Sequence, residues 1–157
     1  MKKIILLVLI VSTVWACGST KTVRASKKVI KGGWTLNQIN YSAYGTFKIT
    51  FFKDASKACL EGSEWNFIPN NNSGTYAINK TDCIAGDRNF VFTIQEVDEV
   101  TGLYDFLLKP TNVKHKSETN EGFRLKLTQL TDTDMQWEQM ASIDGKTFTI
   151  NMNFSKN

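Results

Sequence analysis

The segment "FRLKLTQL", residues 123–130, contains the pattern that decides the fold. Its odd positions up to Leu127 are large and apolar, and the positions between them are Arg124, Lys126 and Thr128. Successive side chains of a β-strand point to opposite faces, so this segment has one apolar face and one polar face. Such a strand is typical of an antiparallel sheet that packs one face on the core and exposes the other to water.

The same period of two recurs along most of the chain. It is clear in "TFKITFF" (46–52), "NFVFTIQ" (89–95) and "TFTINMNF" (147–154). Weaker strand signals occur in five further segments: "GWTLNQINY" (33–41), "SEWNFI" (63–68), "GTYAI" (74–78), "LYDFLL" (103–108) and "MQWEQM" (135–140). The chain therefore contains about eight to nine predicted strands.

Turn residues separate these strands. Asp144 and Gly145 form a strong hairpin signal, "PNNNSG" (69–74) is typical of a loop, and "TDTD" (131–134) joins two alternating segments. "DASKACLEG" (54–62) is the one predicted helical turn. These features predict an all-β antiparallel fold with little helix. The sequential hairpins favour an up-and-down β-barrel over a sandwich, because a closed barrel has no exposed sheet edges.

The N-terminus has the organisation of a secretory signal. Lys2 and Lys3 precede an apolar run over residues 4–11, which is shorter than the roughly 20 residues that a membrane-spanning helix requires. Small polar residues follow the run. We therefore interpret residues 1–16 as a leader that is removed and exclude them from the fold.

The residues around Cys17 resemble the bacterial lipobox, in which a small residue precedes a cysteine that becomes the lipidated first residue. Ala16 and Cys17 fit this pattern and Val14 is acceptable, whereas Trp15 is bulkier than usual. The resemblance implies acylation of Cys17, for example with palmitate, and a membrane anchor. Because Gly18 rather than Asp follows the cysteine, sorting to the outer membrane is expected. The alternative is an ordinary signal peptide whose cysteine is incidental.

The composition limits the remaining chain to one domain. Removing residues 1–16 from 157 leaves 141, enough for a single hydrophobic core. The loss of Lys2 and Lys3 leaves 17 basic against 15 acidic residues, which does not suggest a nucleic-acid partner. Residues 17–31 are polar and basic and are predicted to be a lipidated N-terminus with a flexible tether, and residues 32–157 are predicted to form the barrel domain. We expect a monomer.

Assigning Cys17 to the lipid leaves Cys59 and Cys83. In an exported protein these two thiols would meet oxidising conditions, so a disulfide is predicted. A structural zinc site is the alternative, but two thiols and a single histidine provide too few ligands. The sequence predicts neither a metal nor a cofactor.

"GGW" at residues 32–34 opens the first strand after the tether and looks like the lipocalin G-x-W signature. Together with "CLEGSEWNF" (59–67) and "NNNSGTY" (70–76), it resembles the lipocalin-like lipoproteins of Gram-negative envelopes. The resemblance covers residues 30–154. It implies an eight-stranded lipocalin-like barrel in which Gly32 and Trp34 close one end.

The chain departs from the better-known lipocalins in two places. Their T-D-Y element is missing, and "TGLYDF" (101–106) is a distant echo of it. The basic residue that those proteins stack on the first-strand tryptophan could here be Arg124 or Lys146.

Catalytic candidates are few. The single histidine, His115, lies between Lys114 and Lys116 in a charged run that is typical of a solvated loop. The sequence contains neither a nucleophile elbow nor a Gly-rich phosphate loop. We therefore expect a protein that is not an enzyme.

The inward faces of the strands are the candidate ligand-binding surface. An eight-stranded barrel is just wide enough to be filled by side chains or to hold one small ligand, and alternation does not distinguish the two. A hollow barrel would bind a small apolar or amphipathic ligand in its mouth without catalysis. A filled barrel would be a structural or protein-interaction module that works through its loops. The candidate lining residues are Phe47, Phe51, Trp65, Phe67, Phe90, Phe92, Phe106, Phe123, Trp137 and Phe148, with Met135, Met152 and Phe154 also predicted to point inward.

Overall fold

A computed structural model describes residues 21–157 of the chain. The predicted leader (1–16) and lipidated Cys17 lie outside the described residues. The helices are α1 (Lys21–Ile30) and α2 (Lys57–Leu60), with a 3-10 helix over Pro69–Asn71. The strands are β1 (Gly32–Tyr41), β2 (Thr50–Phe51), β3 (Ala55–Ser56), β4 (Glu64–Ile68), β5 (Ser73–Ile78), β6 (Gly86–Val97), β7 (Tyr104–Thr111), β8 (Phe123–Leu130), β9 (Asp134–Ile143) and β10 (Lys146–Lys156).

Eight of the strands form a closed antiparallel barrel in the order β1-β10-β9-β8-β7-β6-β5-β4. Every neighbour in this order is also a neighbour in the chain, except where β1 pairs with β10 and with β4 to close the ring. The prediction of an up-and-down barrel is therefore confirmed. The predicted turn at Asp144 and Gly145 is present, with φ angles of 52° and 76° that match the tight hairpins favoured by strand twist.

The "TFKITFF" segment was predicted to be a barrel strand, and this prediction is wrong. Only Thr50–Phe51 of this segment forms a strand, and it pairs with Ala55–Ser56 in a separate two-stranded sheet. The chain reverses at Phe52 and Lys53, whose φ angles of 52° and 55° lie in the left-handed region. Alternation alone carries no signal for such a reversal, so the segment resembles a strand in sequence.

This two-stranded sheet covers one end of the barrel, which we call the mouth. The mouth is the end at which β4, β6, β8 and β10 begin. Phe52 is 3% exposed, and its ring lies 5.9 Å from that of Trp65 and 5.4 Å from that of Phe123. The turn at Phe52 therefore inserts an aromatic ring between strands on two sides of the mouth.

The opposite end, which we call the floor, is covered by α1. The Ser26 hydroxyl donates to the carbonyl of Gly102, between β6 and β7, at 2.6 Å. Lys27 donates to the side chain of Asn72, between β4 and β5, at 3.0 Å. The floor is thus closed by hydrogen bonds from one helix to two strand connections.

The sequence predicts a flexible tether over residues 17–31, whereas the structure shows a helix over residues 21–30. Val23, Ser26 and Ile30 are all buried, at spacings of three and four residues that place them on one helical face. Only two of the three are apolar, so the sequence contains a weak helical signal. Packing on the barrel supplies the stability that the short segment lacks by itself.

Trp34 lies at the floor beside the end of α1. It is fully buried, and its indole Nε1 donates to the carbonyl of Ile30 at 2.8 Å. The cation over its ring is Lys156, with the ammonium 5.0 Å from the ring centroid. The two residues expected for this role, Arg124 and Lys146, are not the ones found there, because the β1–β10 register places Lys156 opposite Trp34.

One glycine of the "NNNSGTY" motif is required by packing. A β-carbon on Gly74 would lie 2.4 Å from the ring of Phe90 and 2.5 Å from the carbonyl oxygen of Asn66. Both distances are far inside van der Waals contact. Gly74 therefore lets an interior aromatic ring lie directly on the backbone of β5.

The disulfide prediction is confirmed by a bond between Cys59 and Cys83, with Cα atoms 5.7 Å apart. It joins α2, in the segment that covers the mouth, to the connection between β5 and β6.

In residues 21–157, no helix is both long and apolar enough to cross a membrane.

Replacing both bridge cysteines, Cys59→Ser with Cys83→Ser, is expected to lower the free energy of unfolding by about 3 kcal/mol, because the bridge restricts a loop in the unfolded chain. Urea denaturation of the oxidised protein and the variant measures the difference. Reductant should remove the difference by destabilising the parent alone. Equal stability of the oxidised parent and the variant would contradict this account.

Phe52→Ala is expected to lower the free energy of unfolding by about 3 kcal/mol, because it leaves a cavity among large aromatic rings. Phe47→Ala is the matched control, since Phe47 is half-buried and stacks chiefly on Phe148. Phe47→Ala should lower the free energy of unfolding by about 1 kcal/mol. Urea denaturation followed by tryptophan fluorescence compares the two, and equal losses would show that Phe52 is not a core residue of the mouth.

Candidate functional site

The barrel interior is occupied by aromatic side chains in contact with one another. Six of the ten predicted lining residues belong to this cluster, and none is more than 2% exposed. They are Trp65, Phe67, Phe90, Phe92, Phe106 and Trp137.

Trp137 is at the centre of the cluster. Its ring centroid lies 5.2 Å from that of Trp65, 5.8 Å from that of Phe67 and 5.2 Å from that of Phe106. These residues come from β9, β4 and β7, on different sides of the barrel. Rings from facing walls therefore meet in the middle, so side chains fill this part of the barrel and leave no room for a ligand.

The other four predicted lining residues lie towards the mouth. Phe47 and Phe148 stack on each other with centroids 4.7 Å apart, and Tyr41 contacts both. Phe51 is buried in the two-stranded sheet. Phe123 is the only one of the ten that lines the mouth cavity described next.

A cavity of about 520 Å³ opens at the mouth, outside the aromatic cluster. Phe52, Tyr76 and Phe123 line it together with Pro110 and Val113. This volume lies within the range of small-molecule sites, roughly 300–1,000 Å³. The polar residues that complete the lining are Lys53, Asp54, Asp87, Arg88, Asn89, Thr111, Asn112, Thr119 and Glu121.

A hydrogen-bonded cluster fixes one side of this cavity. Arg88 donates to both carboxylate oxygens of Asp54, at 2.9 and 3.3 Å. The Tyr76 hydroxyl donates to the same carboxylate at 2.9 Å, and burial together with the negative charge of Asp54 raises the pKa of Tyr76 far above its ordinary value. Arg88 also donates to the carbonyls of Ile84 and Gly86, at 2.6 Å each. The cluster joins the mouth-covering segment to β5 and β6.

A second ion pair in the lining joins Lys53 to Glu121. Lys53 and Arg88, the two basic residues of the lining, therefore each contact a carboxylate. Asp87 adds a third acidic group to the lining. The two basic and three acidic residues give the site no excess of positive charge. An anionic ligand group would have to displace one of these carboxylates.

A separate cavity of about 550 Å³ lies near the floor, between β7 and β8. The ladder between these strands ends at Asp105 and Lys126, and the cavity opens beyond that pair. Tyr104 lines it, is 3% exposed and has no hydrogen-bond partner for its hydroxyl. Burial raises the pKa of Tyr104 well above its ordinary value.

His115 lies on the surface at a left-handed φ of 56°, where its backbone N–H donates to the carbonyl of Asn112 at 2.9 Å. It is a turn residue, as the charged run around it indicates. Among residues 21–157, no three His, Cys, Asp or Glu side chains come together as a metal site would require.

The sequence did not indicate the mouth residues Phe52, Asp54, Tyr76 and Arg88 as a site. Phe52 and Asp54 lie in the turn between β2 and β3, Tyr76 lies in β5 and Arg88 in β6, so only the closed barrel brings them together. The one available signal was two charged residues, Lys53 and Asp54, directly after the aromatic pair of residues 51–52.

No protein-family model matches the chain, and no curated protein matches it. One match among solved structures is the crystal structure of a lipocalin-like protein from Bacteroides uniformis ATCC 8492. The two chains share 12% identity with a TM-score of 0.49, and the match covers 82% of this chain and 99% of the other. The eight-stranded barrel rests on the strand pairing of this chain itself.

Proposed function

We propose that the chain is a lipid-anchored envelope protein that binds a small amphipathic molecule, neutral or cationic, at the mouth of its barrel, and that it does so without catalysis. The observation that carries this proposal is the mouth cavity of about 520 Å³, with an aromatic base and fixed polar groups at its side. A ligand would place its apolar part on Phe52, Tyr76 and Phe123. Its polar part would meet the carboxylates and amides of the lining.

The class of ligand follows from charge. Because Lys53 and Arg88 already contact carboxylates, binding a negative group would leave Glu121 or Asp54 without its partner. Separating such a pair is costly where the groups are partly buried, as Arg88 and Asp54 are. A neutral or cationic ligand avoids this cost.

The filled interior also supports a second function, a protein-interaction module that works through its loops. Ile84 and Val113, on two loops at the mouth, are 83% and 79% exposed, and Tyr44 nearby in the covering segment is fully exposed. Apolar residues exposed at neighbouring loop tips are typical of interaction sites. A folded protein that binds no small apolar probe would favour this second function.

Two probes that share one ring system test the mouth site: neutral phenylnaphthylamine and its sulfonated, anionic analogue, anilinonaphthalene sulfonate. We expect the neutral probe to bind with a fluorescence increase and the anionic probe to bind about tenfold more weakly, since it must disrupt an ion pair. Thr119→Trp fills the cavity from its exposed rim and should weaken binding of the neutral probe by about tenfold or more.

Thr147→Trp is the matched control, because Thr147 is exposed on β10 and does not line the cavity. It should leave both affinities unchanged. Equal loss in the two variants, or no binding of the neutral probe by the folded parent, would reject the mouth as a ligand site. Native mass spectrometry of freshly purified protein would identify a ligand that remains bound.

The anchor rests on the sequence around Cys17, which also supports a place at the outer membrane. In a Gram-negative host supplied with an alkyne-labelled fatty acid, the full chain should take up the label and Cys17→Ser should not. The double variant Cys59→Ser with Cys83→Ser should still be labelled, because those cysteines form the disulfide. Unlabelled protein whose leader has been removed would show an ordinary signal peptide instead.

A further inference from the structure

The helix α1 has two faces of different chemistry. Its buried face is formed by Val23, Ser26 and Ile30. Lys21, Arg24 and Lys28 are exposed, and Lys31 follows directly after the helix. A helix turns by about 100° per residue, which places these basic residues on the side opposite the buried face.

This basic face belongs to a segment without negative charge. The first acidic residue of the whole chain is Asp54, so residues 21–31 contain five basic residues and no acidic one. A helix with this composition has a one-sided positive surface. Such a surface is complementary to a layer of anionic headgroups.

The barrel holds the helix in place and thereby fixes the direction of its basic face. Besides the bonds of Ser26 and Lys27, Lys156 donates to the carbonyl of Val29 at 2.6 Å. Ile30 is 1% exposed, and its carbonyl accepts from Trp34. The basic residues are therefore presented outward at the floor, at the end of the barrel away from the mouth.

Only residues 18–20 separate Cys17 from the start of α1. A fully extended chain covers about 3.5 Å per residue, so a lipidated Cys17 would keep Lys21 within about 14 Å of the anchored residue. Electrostatic attraction to a charged surface extends over about 8 Å at physiological salt, a distance that lies within this reach. The anchor would hold the basic face where this attraction acts.

We infer that the outer face of α1 docks on anionic phospholipid headgroups, so that the barrel stands on the membrane with its floor down and its mouth facing away. The inference rests on the proposed anchor at Cys17. Of the acidic residues at the floor, Asp98, Glu99 and Asp132 belong to strand connections. Asp134 is the first residue of β9, and its carboxylate accepts from the Thr133 hydroxyl at 2.6 Å. The carboxylate of Asp98 accepts from the backbone N–H groups of Thr101 and Val100, and these bonds lower the pKa of Asp98. Its carboxylate is therefore hydrogen-bonded within its own turn.

Lysine acetylation of the full, anchored chain in vesicles tests this orientation. One set of vesicles contains phosphatidylcholine alone, and the other contains added phosphatidylglycerol. We expect the rates at Lys21, Lys28 and Lys31, read by mass spectrometry, to fall about threefold or more in the anionic vesicles and to recover in high salt. Lys114, Lys116 and Lys146 are exposed at the mouth and should keep their rates.

Two double variants complete the design. Lys21→Gln with Lys28→Gln should abolish the protection of Lys31, whereas Lys114→Gln with Lys116→Gln should leave it unchanged. Equal rates at Lys21, Lys28 and Lys31 in both vesicles would overturn the docked orientation while leaving the anchor intact. Absence of the chain from both vesicle fractions would overturn the anchor, and the docked orientation with it.

Discussion

The contact between Trp137 and Trp65 in the middle of the barrel is the constraint on which the rest of the structure depends. The two indoles come from β9 and β4, and their centroids are 5.2 Å apart in an edge-to-face arrangement. Phe154 adds a ring 4.4 Å from Trp137. An eight-stranded barrel has room for little more than such side chains, so this packing moves any binding site from the interior to the ends.

The two ends are closed by different means. At the mouth, the covering segment uses aromatic contacts, a disulfide and the Asp54–Arg88 ion pair. Its reversal needs left-handed backbone at Phe52 and Lys53, a conformation that ordinary residues adopt only when surrounding contacts compensate for the strain. At the floor, one helix is held by three hydrogen bonds: Ser26 and Lys27 donate to two strand connections, and Lys156 at the end of β10 donates to a carbonyl of the helix.

The parts of this fold that were predictable follow from local alternation, because a half-buried strand repeats its pattern every two residues. Strand β8 follows the alternation of its sequence, and the hairpin at Asp144 and Gly145 follows from turn chemistry. The errors concern features that local pattern does not encode. The strand predicted over 46–52 alternates correctly, but the ring closure of β1 against β4 and β10 leaves no place for it in the barrel.

The same limit explains why the residues around Trp34 and those of the mouth site could not be predicted from the sequence. Which cation covers Trp34 depends on the register of β1 against β10, and that register places Lys156 beside the ring although it is 122 residues away in the chain. The mouth site likewise combines Asp54, Tyr76 and Arg88 from three separate elements. Alternation with a period of two residues identifies which side chains point inward, but it contains no information on whether their rings meet or leave a space.

The two ends also differ in how their charges are used. At the mouth, Lys53 and Arg88 contact carboxylates, so this end offers apolar surface and hydrogen-bonding groups without an excess of positive charge. At the floor, the outer face of α1 carries basic residues and the helix contains no acidic side chain. Since physiological salt screens charges beyond about 8 Å, the two ends are electrostatically independent in a barrel of this length. A change in charge at one end should therefore leave recognition at the other unaffected.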